Sequence, residues 1–291
     1  MRRRRPDGRS AFGCQSHRLD VWRMTTLPES GMIEAGGRRL EFTFHGPQPA
    51  QAPTCILLHE GLGSAALWGD FRARLAARAG VGVFAYSREG YGASDSITLP
   101  RPLDYMQVHA CHVLPHVIDA IGAREVWLVG HSDGASIAAV YAGAINDPRL
   151  DGAVLIAPHF FVEDFSLAEI RKAREAYETT DLRARLGRWH SDVDAAFRGW
   201  NDAWLDPRFA NEFDIRASLR GVRAPLLTIQ GADDQFGTLA QLDAIDHEAL
   251  QCSHSRLVLP GVKHAPHREA SDATIEAIAA FIERSTRAHQ T

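Results

Sequence analysis

The feature that most constrains this chain is the stretch from Val126 to Ile137, with the sequence VWLVGHSDGASI. An apolar run typical of a buried strand enters the pattern G-x-S-x-G at Gly130–Gly134, and small residues that favour a tightly packed helix follow. A sharp turn from strand to helix would expose the hydroxyl of Ser132 and leave backbone N–H groups free to bind a developing oxyanion. In a chain with 24 glycines the pattern alone is weak, but its flanking elements support Ser132 as a nucleophile.

Apolar runs alternate with helical patterns on both sides of this motif. An alternating strand is predicted first and buried strands follow, and this order indicates a mostly parallel central sheet flanked by helices. The predicted strands are Arg38–His45, Thr54–Leu58, Val81–Tyr86, Val126–Val129, Gly152–Ala157, Pro225–Gln230 and Arg256–Leu259.

Residues 159–221 interrupt this alternation, because they are charged and aromatic and contain no buried-strand run. A structureless loop of this length is uncommon, so the segment is predicted to be helical. Open α/β sheets bind ligands at the carboxyl edge of their strands, so we expect a helical lid over that edge rather than a remote decoration. The predicted organisation is a disordered basic tail over 1–28, a core over 29–158, the lid over 159–221 and a second core part over 222–291.

Composition limits the classes of function. The 291 residues carry a net charge of −4, which argues against a nucleic-acid-binding protein, although the basic start MRRRRPDGRS leaves a nucleic-acid-binding arm as an alternative. No apolar run approaches membrane-spanning length. The four cysteines are widely separated and form no C-x-x-C pair, so neither a disulfide framework nor a metal site is predicted. A cytoplasmic protein that acts on a small molecule is the expectation, and its oligomeric state stays open.

A nucleophilic serine needs a base, and the base needs an orienting acid. Two loops after predicted downstream strands supply candidates: one holds Asp233 and Asp234, and the other holds His264 and His267. The order serine, acid, histidine, together with a set of glycine-rich loops, is similar to that of the α/β-hydrolase fold superfamily, in its lid-bearing branch of serine esterases and carbon–carbon bond hydrolases. The pieces that carry the resemblance are Leu57–Gly61, Gly90–Ser94, Gly130–Gly134, Gly231–Asp234 and Gly261–Pro266.

The resemblance implies roles for these residues. It implies a mostly parallel α/β-hydrolase sheet with the lid inserted before the acid-bearing strand. Asp234 would be the acid, with Asp233 as the alternative, and His264 would be the base, with His267 as the weaker candidate. Neither a cofactor nor a metal is implied.

The resemblance also implies an oxyanion hole made of backbone N–H groups. One would come from Asp133 and one from Gly61, with Leu62 as the second choice. The family commonly has His-Gly-x where this chain has His59-Glu60-Gly61. Asp133 suits a helix N-terminus, but together with Glu60 it could also make the rim of the pocket acidic and favour neutral or basic substrates.

Several side chains are candidates for contact with substrate, although aromatic residues in helices more often form the core of such a segment. The candidates are Glu60, Leu62, His131, His159, Trp189, Trp200 and Trp204.

The predicted reaction is cleavage of a small carboxylic ester, or a similar acyl bond, through an acyl-enzyme. A carbon–carbon bond hydrolase of ring-cleavage diketones is the alternative, because it has the same triad. A binding protein with a vestigial triad is a third hypothesis. Ser132 argues against haloalkane dehalogenases and epoxide hydrolases, which resemble this chain but use an aspartate nucleophile.

Overall fold

A computed structural model describes residues 26–289 of the protein. Within this range eight strands form one sheet, in the order β1-β2-β4-β3-β5-β6-β7-β8. Strand β2 runs antiparallel to β1 and β4, and the other neighbours are parallel, which confirms the predicted sheet. The strands are β1 Ser30–Ala35, β2 Arg38–His45, β3 Thr54–Leu58, β4 Gly82–Tyr86, β5 Val126–His131, β6 Leu150–Ile156, β7 Leu226–Gly231 and β8 His254–Leu259.

Strand β1 was not predicted. It lies at the edge of the sheet, where it pairs with β2 alone, and only Ile33 and Ala35 of its six residues are buried. The predicted basic tail falls largely on residues 1–25, outside the described residues. Its stated end at residue 28 is wrong, because Leu27 is buried and its N–H donates to Gln48 Oε1 at 2.8 Å.

Helices cover both faces of the sheet. Helices α1 and α12 pack on one face, and α3 and α4 pack on the other. The helices are α1 Phe71–Ala79, α2 Tyr105–Val108, α3 Leu114–Ile121, α4 Asp133–Ala144, α5 Asp164–Thr179, α6 Leu182–Leu186, α7 Val193–Trp204, α8 Pro207–Glu212, α9 Arg216–Leu219, α10 Ala240–Glu248, α11 Pro266–Glu269 and α12 Ser271–His289.

Strand β5 lies inside the sheet, and each of its residues is buried. Trp127 and Val129 join the core under α12, where Trp127 meets Phe281 at a ring-centroid distance of 5.5 Å. Leu128 joins the core on the opposite face. A strand that is buried on both faces reads as a continuous apolar run, which is why the sequence predicted it.

The region before β5 is less regular than predicted. The sequence from Leu103 to Gly122 predicts one helix that bends at Pro115, but a π-helical turn at His109–Val113 separates α2 from α3. Pro115 lies in the first turn of α3, where its missing N–H is tolerated. The proline therefore marks a restart of the helix rather than a bend within it.

The segment from 159 to 221 contains α5 to α9. Its sequence predicts helices at Ala168–Tyr177 and Asp192–Trp204, and these correspond to α5 and α7. We call this segment the insert. Its base is closed by an antiparallel bridge between Phe161 and Asp214, and the Ile215 N–H donates to the Phe160 carbonyl at 2.8 Å. The chain therefore leaves the core and returns to it at one place.

The cysteines of the described residues are in two states. Cys55 and Cys252 are free thiols, and Cys55 lies in the core, where burial raises its pKa to about 12. Cys111 is disulfide-bonded. The wide spacing of the cysteines argues against a disulfide framework, and it does not exclude a single bridge.

Candidate active site

The turn that carries Ser132 is strained in the way a nucleophile elbow requires. Ser132 has φ 53° and ψ −119°, and α4 begins at the next residue. A Cβ on Gly130 would lie 2.2 Å from the Gly134 carbonyl oxygen, and one on Gly134 would lie 2.0 Å from the Leu58 carbonyl oxygen. Only glycine allows the strand, the turn and the helix to approach so closely. The Ser132 N–H donates to the Ile156 carbonyl at 2.9 Å, which anchors the turn to β6.

The predicted acid and base meet at the ends of β7 and β8. His264 Nδ1 lies 2.9 Å from Asp234 Oδ1 and 3.0 Å from Oδ2. The N–H of Phe236 donates to Oδ1 at 2.8 Å. Burial acts to raise the pKa of Asp234, but the hydrogen bond and charge of His264 outweigh it and lower that pKa. Asp234 is therefore ionised at neutral pH and holds the hydrogen of His264 on Nδ1.

The two alternative residues are placed elsewhere. Asp233 is exposed, although its backbone N–H donates to the Val262 carbonyl at 2.9 Å. His267 is buried, and its ring packs on Trp68 at a centroid distance of 4.7 Å. Burial holds the pKa of His267 well below its usual range. The geometry thus favours Asp234 over Asp233 and His264 over His267.

The loop after β3 is fixed by polar contacts of two buried residues. The Arg88 N–H donates to His59 Nε2 at 2.9 Å, so the hydrogen of this ring is on Nδ1, which lies 2.7 Å from the Glu60 carbonyl. Burial keeps the pKa of His59 well below its usual range and the ring neutral. Arg88 Nη2 also donates to the Glu60 carbonyl at 2.8 Å. These contacts orient the backbone immediately before Gly61.

Gly61 is in close contact with the insert. A Cβ at this position would lie 2.2 Å from Cδ1 and from Nε1 of Trp200. A second contact joins the same loop to the insert, because His190 accepts from the Gly92 N–H at 3.0 Å and its Nε2 lies 3.2 Å from the Leu62 carbonyl. The insert therefore packs directly on the loop that would supply an oxyanion-hole donor.

Asp133 does not make the rim of the pocket acidic, so that part of the sequence prediction is wrong. Its side chain is fully buried, accepts from the Tyr105 hydroxyl at 2.5 Å, and lies 3.8 Å from Arg88 Nη2. The Tyr105 hydroxyl in turn accepts from Trp204 Nε1 at 3.1 Å. The carboxylate points into the core because α4 buries its whole first turn. The expected preference for neutral or basic substrates now rests on Glu60 alone.

A cavity of about 170 Å³ lies beside Ser132. Its lining combines the proposed nucleophile and base with mainly apolar side chains from the core and the insert. The lining residues are Glu60, Gly61, Leu62, Ser132, His159, Ser166, Ile170, Trp200, Trp204, Phe236 and His264.

Two predicted substrate contacts are placed outside this cavity. Trp189 is 43% exposed and does not line it, because α6 and the turn after it lie on the outer surface of the insert. His131 is buried behind the site, with Nε2 2.8 Å from the His264 carbonyl and Nδ1 3.4 Å from Glu60 Oε2. Burial acts to raise the pKa of Glu60, but the hydrogen bond with His131 outweighs it and holds that pKa well below its usual range.

Three lining residues were missed by the sequence analysis. Phe236 packs on the ring of His264 at a centroid distance of 4.8 Å, and Ser166 Oγ donates to the Phe236 carbonyl. Ile170 lies one turn further along α5. The signal that was available is the position of Phe236, two residues after Asp234 in the acid-bearing loop. Ser166 and Ile170 give no signal without knowledge of how α5 packs.

The family model of the alpha/beta hydrolase family matches residues 55–277, which is more than half of the chain. The chain belongs to the α/β-hydrolase family. Among curated relatives, it is 29% identical over 131 residues to epoxide hydrolase B of Mycobacterium tuberculosis, which covers 44% of this chain and 35% of that protein. The matched region thus spans about a third of the length of that relative.

Two further comparisons extend over most of this α/β-hydrolase. It is 25% identical to a non-heme haloperoxidase of Rhodococcus erythropolis over 257 residues, which are 78% of this chain and 92% of the relative. The solved meta-cleavage product hydrolase of Pseudomonas fluorescens IP01 has a TM-score of 0.61 at 17% identity, over 88% of this chain and 99% of the other. This structural likeness shows the fold alone.

Within residues 26–289, this α/β-hydrolase has no group of three or more histidine, cysteine, aspartate or glutamate side chains arranged to hold a metal ion. Over the same residues, no helix combines the length and the apolar character needed to cross a bilayer.

Proposed function

We propose that this α/β-hydrolase cleaves small carboxylic esters, or similar acyl bonds, through an acyl-enzyme on Ser132. The observation that carries the proposal is the position of His264. Its Nδ1 is held between the two carboxylate oxygens of Asp234, while its ring lines the same cavity as Ser132. A strained serine, a histidine held in one tautomer and a buried acid are the components of acyl transfer.

In the proposed mechanism, His264 removes the proton of Ser132 as the hydroxyl oxygen attacks the substrate carbonyl. Asp234 keeps the hydrogen of the imidazole on Nδ1 and stabilises the imidazolium that forms. The imidazolium then protonates the leaving alcohol, and the neutral ring activates a water that hydrolyses the acyl-enzyme.

The backbone N–H of Asp133 and that of Gly61 are the proposed oxyanion donors, with Leu62 as the alternative to Gly61. Support comes from the start of α4 directly after Ser132 and from the fixed backbone before Gly61. Each donor of this kind contributes about 3 kcal/mol to stabilisation of the transition state.

The cavity supports a small, mainly apolar acyl group. An apolar cavity of about 150 Å³ holds a molecule the size of benzene, and the cavity beside Ser132 is of similar volume. His159 adds a polar group to its wall without adding charge, because burial lowers its pKa to about 3. We propose that the insert acts as a lid, since Ile170, Trp200 and Trp204 all belong to it and line the cavity.

Two alternatives share these residues. A carbon–carbon bond hydrolase would use the same Ser132, His264 and Asp234, and an assay of a vinylogous diketone beside a short ester separates it from an esterase. A binding protein would hold a ligand tightly without turnover. The matched epoxide hydrolase does not change the proposal, because epoxide hydrolases of this fold have an aspartate where this chain has Ser132. A cytoplasmic location remains a prediction from the sequence.

The test is Ser132→Ala, assayed with p-nitrophenyl esters of increasing acyl length. We expect turnover of the best ester to fall at least about 10³-fold, because the nucleophile is removed. Circular dichroism should show the native fold. Ser136→Ala is the matched control: its hydroxyl donates to the His159 carbonyl at 2.6 Å and it does not line the cavity, so activity should stay within about tenfold. Full activity in Ser132→Ala protein would contradict the proposal.

A further inference from the structure

A second cavity, of about 280 Å³, is lined in part by Tyr105 and shares no lining residue with the cavity beside Ser132. Its wall includes the π-helical turn that follows α2, and π-helical turns occur frequently at functional sites. It reaches the surface at Thr98 and Pro102, which are exposed. The lining residues are Arg38, Arg88, Glu89, Ile97, Thr98, Arg101, Pro102, Tyr105, Val108, His109 and Val113.

Three arginines line this cavity, and two of them are buried and have side-chain donors without a hydrogen-bond partner. Arg88 is 2% exposed, and within the described part of the chain its Nε and Nη1 have no hydrogen-bond partner. Arg101 is 9% exposed, and its Nε likewise has no partner there. A buried charged donor without an acceptor is costly, and among the described residues no acceptor reaches these atoms, although Oδ1 of the neighbouring Asp133 is also buried without a hydrogen bond.

The nearby carboxylates do not satisfy both buried arginines. Glu89 pairs with Arg38, at 2.5 Å from Nε to Oε2. Asp133 lies 3.8 Å from Arg88 Nη2, which is beyond hydrogen-bond distance, and its Oδ2 is taken by the Tyr105 hydroxyl. One acid, Glu89, lines the cavity beside the three arginines, and Asp133 lies next to Arg88, so these five groups carry a surplus of one positive charge.

The remaining titratable group in the wall is neutral. His109 Nε2 lies 2.6 Å from the Tyr86 hydroxyl, and the ring is buried. Burial lowers the pKa of His109 well below its usual range, and the charges of Arg88, Arg101 and Arg38 lower it further. This residue therefore adds no positive charge at neutral pH.

We propose that this cavity is a second ligand site, which binds the carboxylate of a small organic acid. The planar guanidinium fork matches the two oxygens of a carboxylate, and a buried pair of this kind makes short, strong hydrogen bonds. A single negative charge balances the surplus, and the apolar wall of Ile97, Val108 and Val113 suits the hydrocarbon part of such an acid. Binding at this site does not require the proposed ester cleavage, because no residue of the triad lines it.

Two short chains of hydrogen bonds connect this site to the first cavity. Arg88 Nη2 donates to the carbonyl of Glu60, whose side chain lines the first cavity. The Tyr105 hydroxyl accepts from Trp204 Nε1, and Trp204 lines the first cavity too. An acid that engages Arg88 would therefore act on the loop before Gly61, so binding is expected to alter the activity of the first site.

The test is titration of the full-length protein with sodium benzoate by isothermal titration calorimetry, at constant ionic strength. We expect saturable binding that weakens at least about tenfold in Arg101→Gln, because a charge-assisted hydrogen bond is lost. Arg38→Gln is the second variant, since Arg38 is partly exposed and its loss is less disruptive to folding. Arg39→Gln is the matched control. Arg39 is the adjacent arginine of β2, and it is exposed and lies outside the cavity, so the affinity of this variant for benzoate should equal that of the native protein.

Two comparisons decide where benzoate binds and what the site recognises. Ile170→Ala alters the first cavity only, so unchanged affinity in that variant supports the second site. Binding that is lost in Ile170→Ala but kept in Arg101→Gln and Arg38→Gln would place benzoate beside Ser132 and overturn the proposal. Equal weakening in Arg39→Gln, no saturable binding, or binding of inorganic phosphate alone would also overturn it.

Discussion

Replacement of Asp234 by asparagine tests the proposed triad without changing its size. Asp234 Oδ1 accepts from the N–H groups of Phe236 and Gly237, at 2.8 and 3.3 Å. These donors would hold the asparagine oxygen at the Oδ1 position. The amide NH₂ group would then occupy the Oδ2 position, 3.0 Å from His264 Nδ1 in the native protein. A donor at this place requires Nδ1 to accept, which moves the ring hydrogen to Nε2.

The size of the effect follows from this tautomer. A ring with hydrogen on Nε2 has no lone pair there to take the proton of Ser132. Restoring the reactive tautomer would leave two donors facing each other, the amide NH₂ and the Nδ1–H, in a place where the native acid side chain is 1% exposed. Each unpaired buried donor costs about 1–3 kcal/mol, so the penalty is about 2–6 kcal/mol, or about 30-fold to 10⁴-fold in rate. The upper end equals the loss of about 10⁴ that this change produces in a serine protease triad.

The assay is kcat for the best p-nitrophenyl ester near pH 7.5, where we expect Asp234→Asn to lower kcat with little change in KM. Asp233→Asn is the matched control, because it makes the same chemical change in the exposed neighbour. Its kcat should stay within about twofold of the native value. Equal losses in the two variants, or an Asp234→Asn protein within threefold of native, would refute the reasoning.

Two other changes test the packing of the site and its buried histidines. Gly61→Ala should lower the free energy of unfolding by about 1–3 kcal/mol and reduce kcat/KM, because the new methyl group would collide with the ring of Trp200. Unchanged urea unfolding and unchanged turnover would contradict this expectation. His59, His109, His159 and His267 have lowered folded-state pKa values, so the unfolded chain binds more protons below about pH 6.5 and stability decreases as the pH is lowered. We expect the free energy of unfolding, measured with urea, to fall by about 5 kcal/mol between about pH 7.5 and 5.5, and a flat profile would refute this.

The sequence predicted most of the sheet because buried strands leave a continuous apolar run. Thr54–Leu58 and Arg38–His45 were predicted with their observed bounds. Strand β1 was missed because an edge strand of mixed polarity has no such run, and its pairing with β2 depends on the rest of the sheet. The break between α2 and α3 was misjudged as a bend, because a sequence shows where a helical N–H is missing but not how the backbone rearranges around it.

The sequence likewise indicated some residues of the candidate site and could not place others. Asp234 and His264 were candidates because their loops follow strands at one edge of the sheet, and the resemblance to the α/β-hydrolase family selected them over Asp233 and His267. Side-chain directions in the insert are set by helix packing, which a single sequence does not show. Trp189 and Trp200 are similar residues in the sequence, yet one is exposed and the other lies against Gly61. His131 adjoins the nucleophile but points behind it, because alternate residues of a strand face opposite sides of the sheet.

Because the insert is closed at its base, a protein with this fold can exchange the whole inserted segment and keep its core. The Phe161–Asp214 bridge and the hydrogen bond from Ile215 to Phe160 bring the two ends of residues 162–213 together. A segment whose ends already meet can be exchanged for another of different length, since the entropic cost of closing a loop rises only slowly with its length. The sheet, the turn at Ser132 and the proposed acid–base pair would keep their positions in such an exchange, while the cavity walls contributed by Ile170, Trp200 and Trp204 would change. Phe161 and Asp214 are therefore natural boundaries for grafting other segments. A library built in this way would be designed to alter substrate preference and to keep the sheet and the turn at Ser132 unchanged.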